Sequence, residues 1–115
     1  MTIKEKKKLC VGFDYEDPEE CMRAVELSHH NLKYVKDNQT PEMCLKAIIQ
    51  NPHALKHVVN QTEELCLEAV RRNPLAIIYV RKQTPLICQE VVKQDSFNLC
   101  FVDDELLYLF EDIEV

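Results

Sequence analysis

A chain of 115 residues, 46% hydrophobic and 30% charged, can bury one core and is too short to divide into several domains. One Gly, no Trp and five Pro exclude a hairpin-rich β fold, whose turns consume Gly every few residues. No apolar run approaches the length needed to span a bilayer, and the net charge of −6 excludes the basic footprint of a nucleic-acid binder.

Residues 1–16 open with "MTIKEKKKLCVGF". This stretch has charge but no apolar h-region, so no secretory signal is expected there. The expected compartment is the reducing cytoplasm, where the six Cys stay thiols. Leu9, Val11 and Phe13 form one degenerate apolar segment, read as an N-terminal cap over residues 1–16. The acidic run "DYEDPEE" (14–20) follows, at the start of the first helix, where acids suit the macrodipole.

Residues 17–102 repeat one phrase four times. Cys21, Cys44, Cys66 and Cys88 follow one another at intervals of 23, 22 and 22 residues. In that register a first helix is announced by Asp17-Pro18, Thr40-Pro41, Thr62-Glu63 and Thr84-Pro85, each a good N-cap and three with Pro at N1. Cys, Ala and a branched residue then fall at i, i+3, i+4, as in Cys44, Ala47 and Ile48, on one helix face. A second start signal comes about eleven residues later, at Ser28-His29, Asn51-Pro52, Asn73-Pro74 and Asp95-Ser96. The residue before Pro resists the α conformation, so the first helix must stop there. The second helix is short, with columns Leu32/Leu55/Ile77/Leu99 and Val35/Val58/Val80/Val102 and a ring-bearing column Tyr34/His57/Tyr79/Phe101.

Two short helices cannot bury their apolar stripes alone, and stacked copies turn each column into a ladder. The expected fold is all-α: a short α/α-repeat solenoid of about four 22-residue helix–turn–short-helix units with degenerate ends. Residues 103–115, "DDELLYLFEDIEV", carry six carboxylates and no Lys or Arg, leaving 14 acids against 14 bases in residues 1–102. Placed on a helix, Leu106, Leu109, Phe110 and Ile113 follow i, i+3, i+4, i+7 and predict an acidic C-terminal cap. Leu107 and Tyr108 are left on its other side, where a homodimer or partner contact is expected.

The phrases "TPEMCLKAIIQNPHALKHV" (40–58), "TEELCLEAVRRNPLAIIYV" (62–80) and, more weakly, "TPLICQEVVKQDSFNLCFV" (84–102) resemble the short α/α repeat of the family called domain of unknown function 4116, found in giant-virus and bacterial proteins. That family's repeat reads loosely T-P-E-x-C-L-x-A-V-x-x-N-[GP]-x-A-L-x-[YF]-V, and the resemblance covers residues 17–102. Pro stands after Asn51 and Asn73 where Gly is commoner, and Gln89 takes the place of Leu45 and Leu67, which suggests a partly exposed last repeat. The resemblance implies the repeat architecture and no assigned chemistry.

No catalytic or metal site, and no cofactor, is expected. The four repeated Cys occur one per unit, on helices expected about 8–10 Å apart. That is beyond disulfide reach and poorly placed for zinc's sulfur ligands, so they are read as small buried hydrophobes. His53 and His57 stand at i, i+4 but without an HExxH signature or a third ligand, and there is no Gly-rich phosphate loop. The basic group Arg71, Arg72, Arg81, Lys82 and Lys93, against Glu90 alone in residues 71–93, has two readings. Cations favour helix C-termini at about 0.3–1 kcal/mol each, or the group forms a site for an acidic peptide, the chain's own tail included. The expected function is a non-enzymatic protein–protein interaction module with Arg71, Arg72, Arg81, Lys82, Lys93, Leu107 and Tyr108 as candidate contacts. The alternative is a small acidic inhibitor, viral in type, that blocks a basic site on its target.

Overall fold

The computed structural model describes residues 14–111. Every described element is helical. Four α-helices, α1 (Pro18–Leu27), α2 (Pro41–Gln50), α3 (Glu63–Arg72) and α4 (Pro85–Gln94), alternate with four 3₁₀ helices, η1 (His29–Tyr34), η2 (Pro52–His57), η3 (Pro74–Tyr79) and η4 (Ser96–Phe101). A fifth 3₁₀ helix, η5 (Asp104–Phe110), follows them.

Capping chemistry sets each boundary. Thr40, Thr62 and Thr84 accept the backbone N–H of Met43, Leu65 and Ile87 at 3.2, 3.3 and 3.4 Å, while Asp17 accepts that of Glu19 at 2.9 Å. One residue then closes each α-helix and opens the next 3₁₀ helix. Asn51, for example, donates its N–H to Ala47 at 2.9 Å and accepts that of His53 on its side chain at 3.0 Å. Ser28, Asn73 and Asp95 do the same, all four in extended backbone.

The short helices are 3₁₀ rather than α, and the reason lies in their apolar spacing. Leu32, Leu55 and Ile77 each find their inward partner three residues on, at Val35, Val58 and Val80. Four residues on stand Lys36, Val59 and Arg81, all exposed. A helix with three residues per turn stacks i on i+3, so it buries that pair where an α-helix would need an apolar i+4. The same geometry revises the histidine pair. His53 and His57, on one face of an α-helix, stand a third of a turn apart on η2.

Successive α-helices pack on each other, successive η helices do likewise, and each η also packs on the α-helix of the next unit. The product is a two-layer rod with extents of 59 × 21 × 18 Å. Its radius of gyration of 16.8 Å exceeds the roughly 13 Å of a compact domain this long. The ladders Cys21/Cys44/Cys66/Cys88, Ala24/Ala47/Ala69/Val91 and Val25/Ile48/Val70/Val92 are buried throughout. Among the described residues no polar or charged residue is buried as a whole.

Sequence reasoning missed a second ladder, of glutamines. Gln39, Gln61 and Gln83 stand just before the Thr caps. Gln61 donates its amide to the carbonyls of Leu55 (3.1 Å) and Tyr79 (2.8 Å) and accepts the N–H of Arg81 (3.0 Å). Gln39 bridges in the same way to His57 and Val59, at 2.7 and 2.9 Å, and Gln83 to Phe101 and Asp103, at 2.8 Å each. Each amide therefore clamps the end of the following η helix, where 3₁₀ backbone groups run out of partners. The repeated thiols donate to these amides: Cys44, Cys66 and Cys88 reach the Oε1 atoms of Gln39, Gln61 and Gln83 at 3.4, 3.7 and 3.3 Å.

At the C-terminal end the expected α-helical cap is the 3₁₀ helix η5, and Asp103 makes no side-chain capping bond. Phe110 is buried in the core, and the half-buried Leu106 and Leu109 pack against that core. Phe110 lies 22 residues after Cys88, so η5 stands against α4 where a fifth α-helix would begin. Ile113 and most of the expected N-terminal cap, including Leu9, Val11 and Phe13, lie outside the described residues.

Candidate protein interface

The basic residues singled out by composition divide into two groups at opposite ends of the α-helices. At the C-terminal ends, Arg72 reaches Glu68 at 3.6 Å and Arg71 reaches Glu90 of the next unit at 4.0 Å, while Lys93 is exposed. At the other end, Arg81 donates its guanidinium to the carbonyls of Val58 (2.7 Å) and Val59 (3.0 Å), at the end of η2. It is thus a cation on a helix C-terminus that ties adjacent units together. Arg81 and Lys82 line an open cavity of about 290 Å³ with Glu63, Cys66 and Thr84. A shallower groove of about 640 Å³ between α2 and α3 is lined by Leu45, Leu65, Leu67 and Arg71, with Glu42, Glu64 and Glu68. Three carboxylates against one guanidinium make this groove unsuited to an acidic ligand. Leu107 and Tyr108 on η5 are 39% and 61% exposed, as their spacing requires.

The acidic run 14–20 is largely occupied by its own turn. Glu20 accepts the Asp14 N–H at 2.8 Å, Asp14 accepts that of Glu16 at 3.1 Å, and Asp17 caps α1. Burial pushes the Cys44 thiol up to about 11 and raises Cys66 and Cys88 as well, despite Arg81 near Cys66. These thiols stay neutral donors, unsuited to nucleophilic work at ordinary pH. Among the described residues no group of three or more His, Cys, Asp or Glu is arranged to hold a metal ion, and no helix is long and apolar enough to cross a membrane.

The face that composition alone did not reveal is the outer surface of η1 to η4. On a 3₁₀ helix the second and fifth residues stack outward together. In chain order those pairs are His30 and Lys33, His53 and Lys56, Leu75 and Ile78, Phe97 and Cys100. The same two positions are basic on the first two units and apolar on the last two. Ile78 is 58% exposed and Phe97 77%. None of the chain's 20 Asp and Glu lies in residues 29–34, 52–57, 74–79 or 96–101. The nearby carboxylate of Asp95 is turned into its own cap, on the Phe97 N–H at 2.9 Å.

The basic half behaves as one field. His29 and His30 stack at 4.1 Å, Lys33 lies over the Tyr34 ring at 5.0 Å, and Lys56 lies 5.8 Å from the Tyr79 ring of the next unit. His53 meets that same ring edge-on at 5.6 Å. The His57 imidazole is lowered first by burial and then by Lys56, Lys33, His30 and His29. The signal for this face was present in the sequence: an apolar pair at i, i+3 outside the core columns, replacing a His–Lys pair. No family model, curated protein or solved structure matches the chain.

Proposed function

We propose that the chain is a non-enzymatic protein–protein interaction module, a stack of α/α units whose outward columns meet another protein. The observation that carries this reading is the set Leu75, Ile78 and Phe97, exposed side by side on η3 and η4 over a core that is already closed. Large apolar side chains in one exposed patch mark interaction surfaces more often than scattered ones do. The resemblance of the repeat to domain of unknown function 4116 adds an architecture to this reading and no chemistry. The test places a photo-crosslinking amino acid at position 78 or, on the α layer, at position 49, in cells that make the protein. A discrete cross-linked protein from either position supports the module; no adduct from both removes it.

The alternative is the acidic inhibitor, with the tail 103–115 and the 14–20 cluster as its polyanion. Its complex would weaken steeply with salt, whereas an apolar contact would persist.

A further inference from the structure

The outer face of η1–η4 has a direction. One end presents Lys33, Lys56 and His30, beside a half-buried His53; the other presents Leu75, Ile78, Phe97 and Cys100. In a chain of net charge −6, none of the four η helices contains an Asp or Glu; the acids beside them are Asp37, exposed just after η1, and Asp95, whose carboxylate caps η4. The exposed Lys33 and Lys56, on helices without a carboxylate of their own, make the basic end complementary to carboxylates. Its apolar end offers side chains that gain by leaving water, at about 25 cal/mol per Å². Four helices packed about 8–10 Å apart span roughly 25–30 Å, the length of about nine extended residues.

Building on the interaction-module reading, we propose that this face docks a segment of another protein that carries carboxylates at one end and large apolar side chains at the other. Its acids lie over η1 and η2 and meet Lys33 and Lys56. Its apolar residues lie over η3 and η4 and meet Leu75, Ile78 and Phe97. The half-buried ring column Tyr34, His57, Tyr79 and Phe101 forms the floor along which the segment runs. The charges set direction and on-rate, and the apolar end supplies most of the residence time.

The test pans a displayed library of random 16-residue peptides against the full chain and measures the best peptide's affinity by fluorescence anisotropy. The expected sequences combine Asp or Glu at one end with Leu, Ile or Phe at the other. Their affinity should fall roughly tenfold with the double variant K33E/K56E, and by a similar factor with F97S. All three positions are exposed, and an unchanged circular dichroism melt confirms the fold of each variant. R71E/K93E, on the α layer, should leave binding unchanged. Peptides without an acidic end, peptides indifferent to K33E/K56E and F97S, or no enriched peptide would each overturn the proposal. Binders lost only with R71E/K93E would overturn this docking face while leaving the interaction module standing. A dimer of the free chain that dissociates with F97S would make a second copy the occupant. Tight binding of a labelled oligonucleotide through Lys33 and Lys56 would replace the protein segment with nucleic acid. Either result also refutes the proposal.

Discussion

Replacing Gln61 with Ala removes the clamp between the second and third units. Its amide donates to Leu55 and Tyr79 carbonyls at 3.1 and 2.8 Å, and its oxygen accepts the Arg81 N–H at 3.0 Å and the weaker Cys66 thiol at 3.7 Å. At about 0.5–1.5 kcal/mol net for each neutral bond, the three backbone contacts are together worth about 2–4 kcal/mol. Gln61 is half-buried, so water satisfies part of what is lost and the expected cost is near the lower end, about 2 kcal/mol. That is a large fraction of the roughly 5–15 kcal/mol of a typical domain, and it corresponds to a melting point lower by about 8 °C. Urea unfolding followed by far-ultraviolet circular dichroism gives the number. Gln61→Glu separates the two ends of the side chain, because it keeps an acceptor for Arg81 and loses both donations. It should cost at least as much as Gln61→Ala. Gln94 bonds Val70 and Glu90 carbonyls at 2.8 and 3.4 Å from an exposed position, so Gln94→Ala should cost less than half. A Gln61→Ala protein within about 0.5 kcal/mol of the parent would refute the view that the glutamine ladder holds the units in register.

Other outcomes follow from the same geometry. Thiol labelling at pH 8 should modify exposed Cys100 promptly, while Cys44, pushed up to about 11, holds roughly one thiolate in a thousand and reacts only as the chain unfolds. Because that folded value lies above the ordinary 9.0, Cys44 lends stability that is full below pH 9 and lost as pH rises toward 11, visible as a falling urea midpoint in alkali. The His29 and His57 values are lowered, burial first, so their stability is present above the ordinary 6.5 and declines on acidification below it; the melting point at stepped pH reads this out. Ile49→Lys should add a few tenths of a kcal/mol to the urea stability. It supplies Glu68 of the next unit, already beside Arg72 at 3.6 Å, with a second partner from the neighbouring unit, as Glu26 has in Lys46 at 3.0 Å and Arg71 has in Glu90. Deleting residues 104–115 removes Phe110, Leu106 and Leu109 from the end of α4 and should cause unfolding or aggregation, measured by thermal melt and light scattering; an unchanged melt would mean that η5 is no cap.

The repeat was legible because its signals are local. An Asp or Thr cap with Pro at N1 in three of four units, a Cys–Ala–branched face in three of four and a second capping residue, Asn–Pro in two, each act within one turn, and the copies reinforce one another. The buried thiols were legible for the same reason. The 3₁₀ form of the short helices was less so, since a Leu–Val spacing of three reads as helical in either form. What decides it is the polar or exposed residue at the fourth place, Lys36, Val59 or Arg81. The glutamine clamps were illegible because a Gln before a Thr cap looks like any loop residue. Its partners, the carbonyls of Tyr79 and His57, lie 18 residues away. Counting charges also misled at Arg81, whose guanidinium is taken up by Val58 and Val59, because composition cannot tell an available cation from one already spent on a carbonyl.

The two layers of the rod carry different duties, and this bears on where a partner would bind. The α layer holds the units together through polar contacts: Lys46 with Glu26, Arg71 with Glu90, and Gln50 and Gln94 on the carbonyls of Val25 and Val70. A change at those positions alters the stack as well as the surface. On the η layer the joining is done from below by Gln39, Gln61 and Gln83, which grip the backbone rather than the outward side chains. His53 and Lys56 also touch the Tyr79 ring of the next unit, but the backbone grip does not depend on the outward side chains, which go from His–Lys to Leu–Ile to Phe–Cys along the stack. A repeat that fastens itself through backbone on one layer can vary that layer's outer face to suit a ligand, and that is the layer whose helices contain no Asp or Glu.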